Sequence, residues 1–272
     1  MKQVRSKISA IVEVAAIFFL IVVLFQSIRI SNLSQWETEI LSGQRSLFLE
    51  YGAVLGIVIA LLAITGRDRQ KYGLTLKDGK LQARVIVIGL PPVFALSGTL
   101  GLVDWRTWIG AGLVSLVAIG AVFGLGWALR GKGTAPGLMM ALALGASVPC
   151  GVEIGPVSKA LIKTAYFYLL AGPAEEMLFR GYIQSRLNET LGKPYRFFGV
   201  KWGWGLVLAS VFFGLWHVVW RPLDGGAWLH GMWTFFAGLI FGYVREKSNS
   251  VVAASVLHSV MNYVPLFDLI GV

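Results

Sequence analysis

The chain of 272 residues is 56% hydrophobic, only 14% of its residues are charged, and its mean hydropathy is +0.70. Soluble globular proteins carry about 25% charged residues, so this composition excludes a water-soluble enzyme with an ordinary core. The length accommodates about eight or nine apolar spans of roughly 20 residues, which leaves no room for a separate soluble domain. We therefore expect an all-α fold, a polytopic transmembrane helical bundle.

The net charge of +10 arises from basic residues that lie between apolar runs, mainly at residues 2–7, 67–84 and 186–201. Membrane proteins place such positive charge on their cytoplasmic loops. No basic face with interleaved aromatic residues is present, so we expect no nucleic-acid partner. The expected surroundings are a lipid bilayer. The lone Cys150 excludes an internal disulfide and a thiolate zinc site, and we interpret it as a packing residue.

The apolar runs predict spans in chain order at residues 8–28, 47–64, 85–103, 107–129, 136–150, 157–182, 205–220, 228–244 and 251–269. Pro91-Pro92 predicts a kink or a break in the third of them. The run 136–150 is short. If it spans, all richly basic loops lie on the side of the N-terminus, which favours nine spans over eight and a cytoplasmic N-terminus. We divide the chain into N-terminal transmembrane helices, 1–150, and a core, 151–272, within one membrane domain.

The first polar motif in the core is Glu175-Glu176-x-x-x-Arg180. Glu176 and Arg180 are four residues apart, so on a helix they share a face, while Glu175 projects about 100° away. One carboxylate can thus be held by the arginine while the other faces a cavity, and the preceding Gly172-Pro173 predicts a bend. The competing interpretation is a charged pair at the solvated end of a helix, which stabilises a helix only modestly.

Two further motifs place histidines in apolar helices. Phe213 and His217 share one helical face, as do His258 and Asn262. The second pair can donate two hydrogen bonds to a single point, as an oxyanion requires. The alternatives are that His217 is a packing residue and that the second pair links helices by hydrogen bonds.

Two other polar residues lie in apolar runs without a polar partner at helical spacing. We interpret His230, close to the start of a predicted span, as structural. Glu13, in the first span, is expected to extend towards the interface or to pair with a neighbouring helix.

The three motifs in this order resemble those of the CPBP (CAAX protease and bacteriocin-processing, or ABI) intramembrane endopeptidases, which include the Ras-converting CAAX endopeptidases. That family is marked by E-E-x-x-x-R, then F-x-x-x-H, then H-x-x-x-N on successive core helices. The resemblance covers roughly residue 157 to the C-terminus. Earlier residues match only in forming apolar spans with a basic loop. Every motif position is present, so nothing indicates an inactive member.

The resemblance implies a membrane-embedded peptidase that acts on a protein or peptide, with prenylated CAAX-type proteins as candidate substrates. It implies that Glu175 is the general base for a water that His217 also holds, and that His258 and Asn262 stabilise the oxyanion. It also implies supporting roles for Glu176, Arg180 and Phe213. Glu176 and Arg180 would form a pair that fixes the carboxylate of Glu175.

Two questions stay open at the level of sequence. Glu175, His217 and His258 could instead bind zinc, although the chain lacks the H-E-x-x-H signature, and we favour a mechanism without a cofactor. Buried carboxylates and histidines also occur in transporters. A non-catalytic membrane partner or immunity-type protein is the main alternative to an enzyme.

Overall fold

The computed structural model describes residues 2–40, 47–102, 107–130 and 165–263. The described residues of the first half of the chain are mostly helical, with a loop at residues 65–78. Its helices are α1 (Lys2–Arg29), α2 (Asn32–Ile40), α3 (Phe48–Ile64), α4 (Gly79–Leu102) and α5 (Trp108–Arg130). The short α2, which the sequence did not predict, is amphipathic. α4 continues through Pro91-Pro92, so the break that these prolines could mark is not formed, and the alternative of a kink stays a prediction.

The next helix, α6, runs without interruption through the Glu-Glu-x-x-x-Arg motif. It alternates between two kinds of winding: π-helical Tyr166–Ala171, α-helical Gly172–Glu176, π-helical Met177–Gln184 and α-helical Ser185–Leu191. The Gly172-Pro173 pair therefore lies inside a helix, between two π-helical segments. Gly172 faces Ser259, and a β-carbon at position 172 would collide with that hydroxyl, so glycine permits a close helix contact there.

A β-hairpin and three helices complete the described chain. They are β1 (Tyr195–Phe197), β2 (Val200–Trp202), α7 (Trp204–Val218), α8 (Gly225–Ser248) and α9 (Val252–Tyr263). The strands are antiparallel, and Arg196 lies opposite Lys201. Phe198 and Gly199 form the turn with φ of 44° and 82°, the positive values that tight two-residue hairpin turns use.

The described helices form an all-α bundle of membrane type. In the described part of the chain, four segments are long and apolar enough to cross a bilayer: Ser6–Arg29, Gly79–Gly98, Ile109–Arg130 and Gly225–Ser248. Three shorter apolar helices accompany them: Phe48–Ile64, Trp204–Val218 and Val252–Asn262. The run 136–150, which includes Cys150, and the first part of the span 157–182 lie outside the described residues. The number of spans, eight or nine, stays a prediction.

The core helices approach each other closely. α7 packs along α8, where a β-carbon added to Gly214 would lie 2.7 Å from the carbonyl oxygen of Gly231. Small residues at helix contacts allow such close packing in membranes. α6 contacts α3, α7 and α9, so the helices that bear the three motifs surround one region of the bundle.

Glu13 of α1 joins the N-terminal helix to α6. Its carboxylate accepts hydrogen bonds from Arg67 at 2.6 Å, Tyr182 at 2.7 Å and Arg186 at 2.9 Å. Partial burial opposes the charge on Arg67, but the hydrogen bond with Glu13 raises the pKa of Arg67 above its ordinary value. The interpretation that Glu13 pairs with a neighbouring helix is confirmed.

Candidate active site

The carboxylate of Glu176 and the guanidinium of Arg180 form an ion pair inside the bundle. Nη1 of Arg180 lies 2.7 Å from Oε1 of Glu176, and neither side chain is exposed. Arg180 also donates to the carbonyl oxygen of Gly238 at 3.3 Å and lies 4.2 Å above the ring of Phe213. The pair is therefore a desolvated element of the site and not a charged pair at a solvated helix end.

His258 of α9 is oriented by the same carboxylate. Its Nδ1 atom lies 2.9 Å from Oε1 of Glu176. Because an ionised carboxylate only accepts hydrogen bonds, Nδ1 carries a proton and donates it. The imidazole stacks on Phe241, with ring centroids 5.0 Å apart and planes inclined by 17°. These two contacts fix the ring and turn its Nε2 atom towards Glu175.

Glu175 is buried, and its two carboxylate oxygens have different surroundings. Oε1 accepts a hydrogen bond of 2.6 Å from the hydroxyl of Tyr51 in α3. Oε2 has no hydrogen-bond partner among the described residues and lies 3.7 Å from Nε2 of His258. That distance is too long for a direct hydrogen bond. One carboxylate oxygen thus accepts a hydrogen bond from Tyr51, and the other faces an imidazole nitrogen.

His217 of α7 reaches the same region across the ring of Phe213. The ring centroid of Phe213 lies 4.7 Å from that of His217 and 5.4 Å from that of His258. Nδ1 of His217 lies 2.9 Å from the carbonyl oxygen of Phe213, which can only accept, so Nδ1 donates. In the neutral imidazole, Nε2 then keeps its lone pair. His217 also interacts electrostatically with Glu175 and with His258.

Asn262 lies one helical turn after His258 on α9. Its side chain is half-buried, and it makes no hydrogen bond with any described residue. The interhelical hydrogen bond that the sequence offered as an alternative is therefore not formed within the described part of the chain. On an α-helix this position shares a face with His258.

Comparison with models of known families gives a match over residues 157–264, to the family described as type II CAAX prenyl endopeptidase Rce1-like. Residues 157–264 are therefore similar to the Rce1-like family. The match contains all three motifs, which confirms the resemblance that those motifs indicated, and the family implies a membrane peptidase. No curated protein and no solved structure matches the chain.

The Rce1-like region does not contain every residue that touches the site. Tyr51 precedes it by more than 100 positions and was not predicted. Glu50 and Tyr51 are the two polar side chains of an otherwise apolar run, and this was the only sequence feature that could have pointed to Tyr51.

His230 is interpreted from the sequence as a structural residue. Its ring is buried, stacks on Trp233 and lies 5.7 Å from that of His217.

The possible ligands of the site do not lie together as a metal-binding group. Within the described segments, no group of three or more His, Cys, Asp or Glu side chains is arranged to hold one. Glu175 and His258 approach each other at 3.7 Å, but no third His, Cys, Asp or Glu of the described residues completes a ligand group with them. Glu175, His217 and His258 therefore do not form a ready-made zinc site.

Proposed function

We propose that this Rce1-like protein is an intramembrane endopeptidase in which Glu175 activates water for hydrolysis of a peptide bond. Oε2 of Glu175, which has no hydrogen-bond partner among the described residues, carries the proposal. A water can lie about 2.8 Å from this atom, at hydrogen-bond distance. Because Tyr51 occupies the other carboxylate oxygen, Oε2 is the atom that can take a proton from this water.

The reaction then proceeds in two steps. Oε2 of Glu175 accepts a proton while the water oxygen forms a bond to the peptide carbonyl carbon, and the carbonyl electron pair moves to oxygen. Nε2 of His217 accepts the second hydrogen bond of the same water and orients it. When the tetrahedral intermediate collapses, the C–N bond breaks. The leaving amine takes the proton back from Glu175, which returns the carboxylate to its starting state.

His258 and Asn262 are the proposed donors to the oxyanion. With both ring nitrogens protonated, His258 donates through Nδ1 to Glu176 and through Nε2 to the developing negative charge.

The proposed substrate class is the C-terminal segment of prenylated CAAX-type proteins, which the name of the matching family supports. The test is incubation of the purified protein in detergent with a prenylated CAAX peptide and with the same peptide lacking the prenyl group. Mass spectrometry follows the released fragment, with Glu175→Gln as the control. Failure to cleave either peptide contradicts this substrate class, and equal cleavage by the control contradicts the proposed mechanism.

We also propose that the protein lies in the cell membrane with a cytoplasmic N-terminus and crosses it nine times, with eight as the alternative. The N-terminal helices (1–150) and the core (151–272) form one membrane domain in this proposal. Replacing Cys150 by serine allows single cysteines to be introduced near each terminus. Labelling with a reagent that does not cross membranes places the termini on opposite sides for nine spans and on the same side for eight.

A further inference from the structure

We infer that Tyr51, which lies outside the Rce1-like region, is a positioning residue of the active site. It orients the carboxylate of Glu175, so the N-terminal helices complete a site whose three motifs all lie in the core. This inference rests on the proposed role of Glu175 as the base.

The contact between Tyr51 and Glu175 is short and buried. The phenol hydroxyl donates to Oε1 at 2.6 Å, across 124 positions of sequence, and both side chains are at most 9% exposed. Hydrogen bonds to an ionised acceptor are shorter and stronger than neutral ones, and desolvation strengthens them further. The interaction is therefore strong enough to select one orientation of the carboxylate.

The orientation matters because rotation about the last side-chain bond of a glutamate is otherwise loosely restrained. When Oε1 is held by Tyr51, Oε2 is directed to the opposite side, where Nε2 of His258 lies 3.7 Å away. Loss of the hydroxyl would free the carboxylate to turn away from the water. The base would still be present, but it would adopt the reactive orientation for a smaller fraction of the time.

Tyr51 is itself held rigidly. Its ring packs edge-on against Phe25 of α1 at 5.4 Å and against Tyr166 of α6 at 5.8 Å. One turn earlier, the carboxylate of Glu37 accepts hydrogen bonds of 2.9 and 3.1 Å from the first two backbone N–H groups of α3. These groups have no partner within their own helix, so α2 caps α3 and fixes the start of the helix that carries Tyr51.

The decisive variant is Tyr51→Phe, which removes the hydroxyl and keeps the ring. We expect kcat to fall by about 10- to 100-fold, the effect of losing one hydrogen bond to a charged group, with KM nearly unchanged. The matched control is Tyr72→Phe. Tyr72 is also buried and also donates to a carboxylate, that of Glu189 at 2.8 Å, but away from the site. We expect this control to keep the wild-type kcat.

A double-mutant cycle separates positioning from general packing. If Tyr51 acts through Glu175, Tyr51→Phe should cause little further loss of kcat in a Glu175→Gln background, because no basic carboxylate remains to be oriented. Multiplicative losses, or a kcat equal to that of Tyr72→Phe, overturn the inference and leave the proposed function intact. Full activity of Glu175→Gln alone overturns the proposed function. A rise in KM at constant kcat assigns Tyr51 to substrate binding instead and also contradicts the inference.

Discussion

Nδ1 of His258 donates to the carboxylate of Glu176 at 2.9 Å, a contact that joins the third motif to the first. The corresponding atom of His217 lies at the same distance from a backbone carbonyl oxygen, that of Phe213. A carboxylate stabilises positive charge on an imidazole more strongly than a neutral carbonyl does. The two histidines are thereby suited to different tasks, His258 as a donor to an anion and His217 as an acceptor for water.

Replacing Glu175 by glutamine tests the base. The substitution keeps the shape of the side chain and removes its basicity, so we expect turnover to fall by about 100-fold or more. Expression and melting temperature should change little, because glutamine can still accept the hydrogen bond from Tyr51. Peptide cleavage and thermal unfolding are measured on the same detergent preparation. An unchanged rate contradicts the assignment and favours a non-catalytic membrane partner.

The neighbouring substitution, Glu176→Gln, should behave differently. It leaves the guanidinium of Arg180 without its charge partner in a fully buried position. Removing one partner of a buried ion pair typically costs about 3–5 kcal/mol of unfolding free energy. Denaturant or thermal unfolding in detergent should therefore show a clear loss of stability that Glu175→Gln does not show. Equal stability of the two variants would mean that water reaches Arg180.

Helical spacing was sufficient to predict the contacts made within one helix. Glu176 and Arg180, four residues apart, form the expected ion pair even though α6 continues as a π-helix after the carboxylates. Hydropathy also located the spans well: the runs 8–28, 107–129 and 228–244 correspond to α1, α5 and α8 within a few residues, except at the N-terminus of α1. Both signals are local, and local periodicity is what a single sequence records.

Contacts between helices were not predictable in the same way. The bonds of Tyr51 to Glu175 and of His258 to Glu176 depend on how α3, α6 and α9 are rotated against one another. Apolar residues cover most sides of these helices, so no amphipathic stripe sets that rotation. The sequence assigns Glu176 to the support of Glu175, but in the structure the carboxylate of Glu176 contacts Nδ1 of His258. The hairpin was missed because three-residue strands are too short to show alternation.

Removal of metal tests whether peptide cleavage needs a metal cofactor. If the water is activated by Glu175 alone, prolonged dialysis against a strong chelator should leave the rate of peptide cleavage intact. Elemental analysis of the active protein should then give far less than one zinc per chain. The control is a known zinc peptidase treated in the same way. Activity that is lost on chelation and restored by zinc alone would contradict this prediction and make Glu175, His217 and His258 the candidate ligands.

Asn262→Ala tests the oxyanion site. The oxyanion exists only in the transition state and in the tetrahedral intermediate, so a donor that serves it should affect kcat and not substrate binding. We expect kcat to fall by about 10²–10³-fold, the usual cost of one missing donor, with KM nearly unchanged. The side chain is half-buried and forms no hydrogen bond with the described residues, so its loss should leave stability nearly intact.

The competing interpretation is that Asn262 holds the bundle together. In that case the variant should show a lower melting temperature and a lower yield of folded protein, while activity per folded molecule is preserved. Ser255→Ala is a suitable comparison, because Ser255 lies on the same helix and, among the described residues, its hydroxyl bonds only to the backbone carbonyl of Val251. Measuring kcat, KM and thermal unfolding for both variants separates the two roles. A loss of stability at unchanged kcat would remove Asn262 from the proposed oxyanion site and leave His258 as its remaining donor.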